Sequence, residues 1–99
     1  MSETLKSNDV IKKLRHLKPE LEQRYGVTRI GIFGSVARNE AHDKSDIDIV
    51  VDMSPDLLKR VSLKAELELL FGKKVDVVRY WHGMNNYLKA RIDQEAVYV

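Results

Sequence analysis

The eight residues 45–52, SDIDIVVD, constrain this chain more than any other stretch. Side chains alternate sides along a β-strand, so Asp46 and Asp48 fall on one face and Ile47, Ile49 and Val51 on the other. A strand that is aliphatic on one side has to bury that side against other elements. A strand with two acids on the opposite side needs something to neutralise them, because carboxylates a few ångströms apart repel. The chain has 99 residues, which suits one domain, expected to span residues 1–99, with only a modest core. One sheet carrying a few helices is what such a length can build.

The rest of the chain supplies those helices. Val10, Ile11, Leu14, Leu17, Leu21 and Tyr25 recur at helical spacing. Ser7 or Asn8 can cap that helix, Pro19 is expected to break or kink it, and Gly26 to stop it. VTRIGIF (27–33) reads as a strand ended by Gly34, and SVARNE (35–40) has room for one or two helical turns. Ser54-Pro55 reads as an N-cap followed by a first-turn proline. Leu63, Leu67, Leu70 and Phe71 form a helical stripe, taken as core, that closes at Gly72. KKVDVV (73–78) is a third strand, with Val75 and Val77 facing away from Asp76. Residues 84–94 read as helix and AVYV (96–99) as a short terminal strand. The order helix, strand, short helix, strand, helix, strand, helix predicts a small α/β (α+β) domain with helices packed on a small mixed sheet.

Charge and composition exclude several classes of function. Seventeen basic against fifteen acidic residues leave a net charge of +2, too balanced for nucleic acid to be the expected direct partner. The chain has no cysteine, hence no disulfide framework and no thiolate site. MSETLKSND at the N-terminus lacks the apolar core of a signal peptide. No uninterrupted apolar run exceeds four residues, so no membrane span is expected and a cytoplasmic setting follows. The overall balance hides a local asymmetry. Residues 43–56 carry Asp43, Asp46, Asp48, Asp52 and Asp56 against Lys44, a net of −4, whereas residues 77–92 carry Arg79, Lys89 and Arg91 with no acid, a net of +3. An acidic pocket beside a basic flank suits a cation and a polyanion bound together, although an ordinary surface dipole has the same pattern.

Two carboxylates on one strand face are ligands for a hard cation. Mg²⁺ prefers one or two carboxylates together with phosphate oxygens and water. Asp76, at the polar position of the next strand, can complete a triad with Asp46 and Asp48, and three carboxylates sharing a face can hold two Mg²⁺ ions roughly 3.5–4 Å apart. Gly34-Ser35 lies where a strand turns into a helix. Backbone N–H groups and the helix dipole there attract phosphate oxygens. Glycine lets the backbone come close and serine adds a hydroxyl donor. Arg38, one turn further on, can offer a guanidinium to a phosphate. Alone, an Asp-x-Asp pair can be a solvated face and a Gly-Ser pair merely a turn. In this order, with Asp76 downstream, the pieces form a constellation.

Gly-Ser, ten residues, then Asp-Ile-Asp resembles the signature of the polymerase-beta-like nucleotidyltransferases. The compact length is similar to that of the minimal nucleotidyltransferase branch, whose members are commonly partnered with HEPN-domain proteins in toxin–antitoxin pairs. The resemblance runs through EQRYGV, IGIFGSVAR, SDIDIVVD, LELLFGKKVDVV and ARIDQEAVYV, nearly the whole chain. It implies the polymerase-beta-like fold. It implies that Asp46 and Asp48 hold the metals, that Asp76 helps bind the metal next to the attacking hydroxyl and accepts its proton, and that Gly34 and Ser35 form the phosphate-binding turn. It further implies Mg²⁺-dependent transfer of AMP from ATP to a tyrosine of a HEPN ribonuclease toxin, with this chain as the antitoxin, and is compatible with a homo-oligomer. The family often has glycine after the arginine, where this chain has Asn39. Asparagine tolerates left-handed backbone better than most residues, so the turn is expected to be kept.

Two other readings compete. One is an antitoxin that silences its partner by binding alone, which loss of an acid or of Gly-Ser would favour. The other is nucleotidyl transfer to a small molecule, which usually needs a further domain to hold the acceptor. Among the remaining residues, His42 lies in the loop before the acidic strand and could touch a phosphate or the partner. His16 and His82 read as surface residues, with no metal-ligand spacing between them. Arg79, Tyr80, Trp81, Tyr87 and Arg91 interleave aromatics with arginines, which suits a protein interface or base stacking as well as core and snorkelling roles.

Overall fold

The computed structural model describes residues 6–41 and 45–99. The elements are α1 (Ser7–Tyr25), β1 (Arg29–Phe33), α2 (Gly34–Ala37), β2 (Ile47–Asp52), α3 (Leu57–Phe71), β3 (Val75–Arg79), α4 (Asn86–Glu95) and β4 (Val97–Tyr98). The four strands form one mixed sheet in the order β3-β2-β1-β4. β1 runs antiparallel to both β2 and β4, and β2 runs parallel to β3. The parallel pair is bridged by α3, as a parallel connection requires.

The alternation in β2 decides how the sheet is covered. Ile47, Ile49 and Val51 are fully buried in a core that Val10, Leu14 and Leu21 of α1 and Leu63 and Leu67 of α3 complete. The opposite face is covered less fully. There Val50 and Phe33 are buried with Met84 and Ile92 in a smaller cluster to which Leu88 of α4 adds. The acid face is therefore half roofed, with Val50 under the roof and Asp48 half-buried at its margin. Gly31 is where β1 passes close to β4, since a Cβ there would sit 2.6 Å from the carbonyl oxygen of Val97.

Several local expectations change. Pro19 neither breaks α1 nor ends it; the helix continues to Tyr25 and stops at Gly26, which is left-handed with φ 69°. Proline removes one bond to the carbonyl four residues back, that of Arg15; both residues are exposed, so water can serve that carbonyl. Neither Ser7 nor Asn8 caps α1. Lys6 stands at the N-cap without a side-chain bond, and the Ser7 amide donates instead to Oδ1 of Asn39 at 2.9 Å. Ser54 does not cap α3. Asp56 does, its carboxylate accepting from the Lys59 amide at 3.0 Å. α4 is capped by Asn85, which accepts from the Leu88 amide. The leucine stripe of α3 is only partly core, because Leu63 and Leu67 are buried while Leu70 is partly exposed and its neighbour Leu69 is 87% exposed. α1 and α3 are tied at the surface by a two-pronged pair, Arg24 to Glu66 at 2.7 and 3.1 Å, with the Tyr25 hydroxyl donating to the same carboxylate. No helix among the described residues is long and apolar enough to cross a membrane.

Candidate active site

β1 delivers the Gly-Ser turn and β2 delivers the acids, and their pairing brings the two together. Phe33, the last residue of β1, is the partner of Asp48 on β2, so Gly34 follows immediately beside that carboxylate. Gly34 has φ +75°, and a Cβ there would overlap Oδ2 of Asp48. Glycine is thus required twice at this position, once for a backbone that L side chains rarely adopt and once for the room that Asp48 takes. On its other side Asp48 pairs in register with Asp76 of parallel β3. Neighbouring strands lie roughly 4.8 Å apart and paired residues point to the same face, so the two carboxylates stand side by side. Asp46 lies just ahead of β2 and is exposed, as is Asp76.

The electrostatics record this crowding. The Asp48 carboxyl is pushed above its ordinary range, first by burial and next by Asp76; Arg91 opposes the rise, and Asp46 and Glu95 add to it. A carboxyl held up by both burial and like charges is one that a cation would relieve. Among the described residues no three acids or histidines close around a single point. The acids lie together at one end of the paired strands β2 and β3, exposed or half-buried. An open pair of carboxylates fits Mg²⁺, which keeps waters and takes substrate phosphates into its shell, better than it fits a cation needing a full protein cage.

The anion side rests on individual donors. α2 has only four residues, so few peptide dipoles add up, and the expected contribution of a helix dipole is small. The Gly34 amide donates to Oε1 of Glu95 at 3.1 Å. Arg38 donates to the same oxygen at 3.0 Å, and a guanidinium nitrogen of Arg91 lies 3.7 Å from it. Ser35 is half-buried beside Gly34. The expected tolerance at Asn39 holds, since its φ is 58°.

The sequence reading did not single out Glu95. Its only signal was a position four residues after Arg91, on the same helical face. Arg91, which the sequence places among the aromatics of residues 79–91, stands near Asp48 and Glu95, 5.9 Å from the Phe33 ring centre. Trp81 and Tyr87 are 45% and 76% exposed. His16 and His82 are exposed, as expected. His42, with Asp43 and Lys44 of the acidic segment, lies outside the described residues.

Comparison with known proteins agrees with this fold. The nucleotidyltransferase domain family matches residues 14–99. The protein adenylyltransferase MntA of Thermococcus cleftensis is 46% identical over 88 residues, covering 83% of this chain and 84% of that protein. A solved structure assigned to the minimal nucleotidyltransferases superposes with a TM-score of 0.74 at 35% identity, over 90% of this chain and 92% of the other. A toxin–antitoxin crystal structure with AMP-PNP superposes with a TM-score of 0.66 at 26% identity, over 93% of this chain and 70% of the other. With the fold, the Gly-Ser turn and the acidic strand all in one place, the chain belongs to the nucleotidyltransferase domain family, in its minimal branch, and is a nucleotidyltransferase.

Proposed function

We propose that this nucleotidyltransferase is a protein adenylyltransferase that moves AMP from ATP to a tyrosine hydroxyl of a HEPN-type toxin and thereby acts as its antitoxin. The observation that carries the reading is the packing of the Asp48 carboxylate between the Gly34 turn and Asp76. It puts a cation-seeking group and a phosphate-seeking turn on one strand end. The relatives support the acceptor class, since MntA is a protein adenylyltransferase and the toxin–antitoxin neighbour was solved with AMP-PNP.

In this reading Asp46, Asp48 and Asp76 would hold two Mg²⁺ ions. When bound, such ions neutralise the carboxylates and stabilise charge on the attacking and leaving oxygens. The Gly34 amide, the Ser35 hydroxyl and Arg38 orient the triphosphate, so that the acceptor oxygen meets the α-phosphorus in line. Asp76, the more open of the paired acids, accepts the hydroxyl proton. The acceptor O–P bond forms, the bond between the α-phosphorus and its bridging oxygen breaks, and pyrophosphate leaves with that oxygen. The exposed aromatics Trp81 and Tyr87 are surface for the protein acceptor. The test is intact-mass spectrometry of the toxin after incubation with the chain and MgATP. AMP-sized additions that disappear with Asp46→Asn or in EDTA are expected; toxin silenced at unchanged mass would instead establish neutralisation by binding alone.

A further inference from the structure

We propose that Glu95 is an internal anion that occupies the phosphate position of the Gly34 turn, and that Arg38 and Arg91 exchange it for the triphosphate when nucleotide binds. The inference rests on the nucleotide-binding reading above and adds a residue to it. Two donors and a third positive group from three places in the chain meet on one oxygen, Oε1 of Glu95: the Gly34 amide and Arg38 donate to it, and a guanidinium nitrogen of Arg91 lies 3.7 Å away. A carboxylate oxygen that draws one backbone N–H and two guanidinium groups has the surroundings of a phosphate oxygen. The position is filled by an acid of the chain itself, and a triphosphate entering the turn would meet the same amide and guanidinium groups.

The exchange needs only a side-chain rotation. Glu95 is the last residue of α4, and the next residues form β4, which pairs with Gly31 and Ile32 of β1. β1 is the strand that ends at the Gly34 turn. The backbone of Glu95 is therefore fixed relative to the turn. Its side chain is only 22% exposed, against 41% for Arg38 and 36% for Arg91, so the guanidinium groups already reach solvent from which a phosphate would arrive.

Competition and mere structural bracing make opposite forecasts. Glu95→Gln keeps the shape and an acceptor for the Gly34 amide but removes the charge that holds the two arginines. Calorimetry with MgAMP-PNP is expected to show binding about three- to tenfold tighter for Glu95→Gln and Glu95→Ala, the scale of one charge-assisted hydrogen bond in a partly solvated setting. Arg91→Gln is expected to bind more weakly, and the Gly34 amide resonance to move both on Glu95→Gln and on adding MgAMP-PNP to the unaltered protein. A brace would lower the melting temperature of Glu95→Gln and leave its affinity equal or weaker. Equal or weaker binding by both Glu95 variants, with the unaltered protein binding normally, overturns the inference and leaves the function standing. Binding by none of the forms, each shown folded by its melt, overturns both.

Discussion

At the scale of single residues, Asp48 is the point where fold and chemistry oppose each other. Its carboxyl is raised by burial and by Asp76, with Arg91 opposing and Asp46 and Glu95 contributing. A group whose folded value lies above its unfolded one contributes stability that is full below the ordinary carboxylate range and is lost as pH rises through the folded value. Without metal, Asp48 should therefore cost stability at neutral pH. Asp48→Asn should melt higher than the unaltered protein in EDTA near neutral pH, by about 0.5–1 kcal/mol after allowing for solvent at a half-buried position, or roughly 4–8 °C per kcal/mol for a domain of this size. The advantage should shrink as pH falls through the raised folded value of Asp48, where the carboxyl protonates by itself. Transfer should be abolished. A variant that melts lower at neutral pH would mean that the carboxylate is a hydrogen-bonded structural group. Gly34→Ala is the converse case. Its Cβ meets Asp48 and its φ is unfavourable, so a loss of about 1–3 kcal/mol is expected in urea denaturation, with activity lost as well.

Elements show what a linear reading can and cannot see. The alternation of β2 is written in consecutive residues, and the burial of Ile47, Ile49 and Val51 follows from it. The acids and the Gly-Ser turn were legible as types. Their contact was not, because it depends on Phe33 pairing with Asp48 across the sheet. Helix caps were the least legible feature. Asn39 serves α1 from 32 residues away, and no spacing rule reaches that far. Glu95 escaped for the same reason, lying 61 residues from the amide it binds. In α3 the stripe of apolar residues runs past the face that the sheet can cover, leaving Leu70 partly exposed. Asn39 gives a prediction that separates its two roles. Asn39→Gly keeps the left-handed backbone, φ 58°, and loses only the cap to Ser7, a cost of about 1 kcal/mol. Asn39→Ala loses the cap and also strains the backbone, adding about 1–2 kcal/mol. Chemical denaturation should rank the unaltered protein above Asn39→Gly and that above Asn39→Ala. Equal losses would show that the cap, not the backbone, decides this position.

Across the whole molecule, the sheet separates two tasks. One face is closed by α1 and α3 and holds the chain together; the other is half covered by α4 and leaves Asp48 at the margin of the cover. Neighbouring residues of β2 belong to different tasks, which permits a sharp test. Ile49 is fully buried in the core, and Asp48, one residue before it, points to the opposite face. Ile49→Val removes one methylene from the core and should cost about 0.5–1.5 kcal/mol. On the proposed function MgATP binds the folded chain and not the unfolded one, so at a hundredfold excess over Kd it should add about 2.7 kcal/mol. If the faces are independent, Ile49→Val lowers the melting temperature and keeps the whole MgATP increment, while Asp48→Asn raises the metal-free melting temperature and loses most of it. The double variant should show the sum of both effects within about 0.5 kcal/mol, although the two residues are adjacent in sequence, where additivity ordinarily fails. Melting curves of the four proteins in EDTA and in MgATP measure this. A smaller MgATP increment in Ile49→Val would mean that core packing sets the position of the acids and that β2 transmits strain from one face to the other.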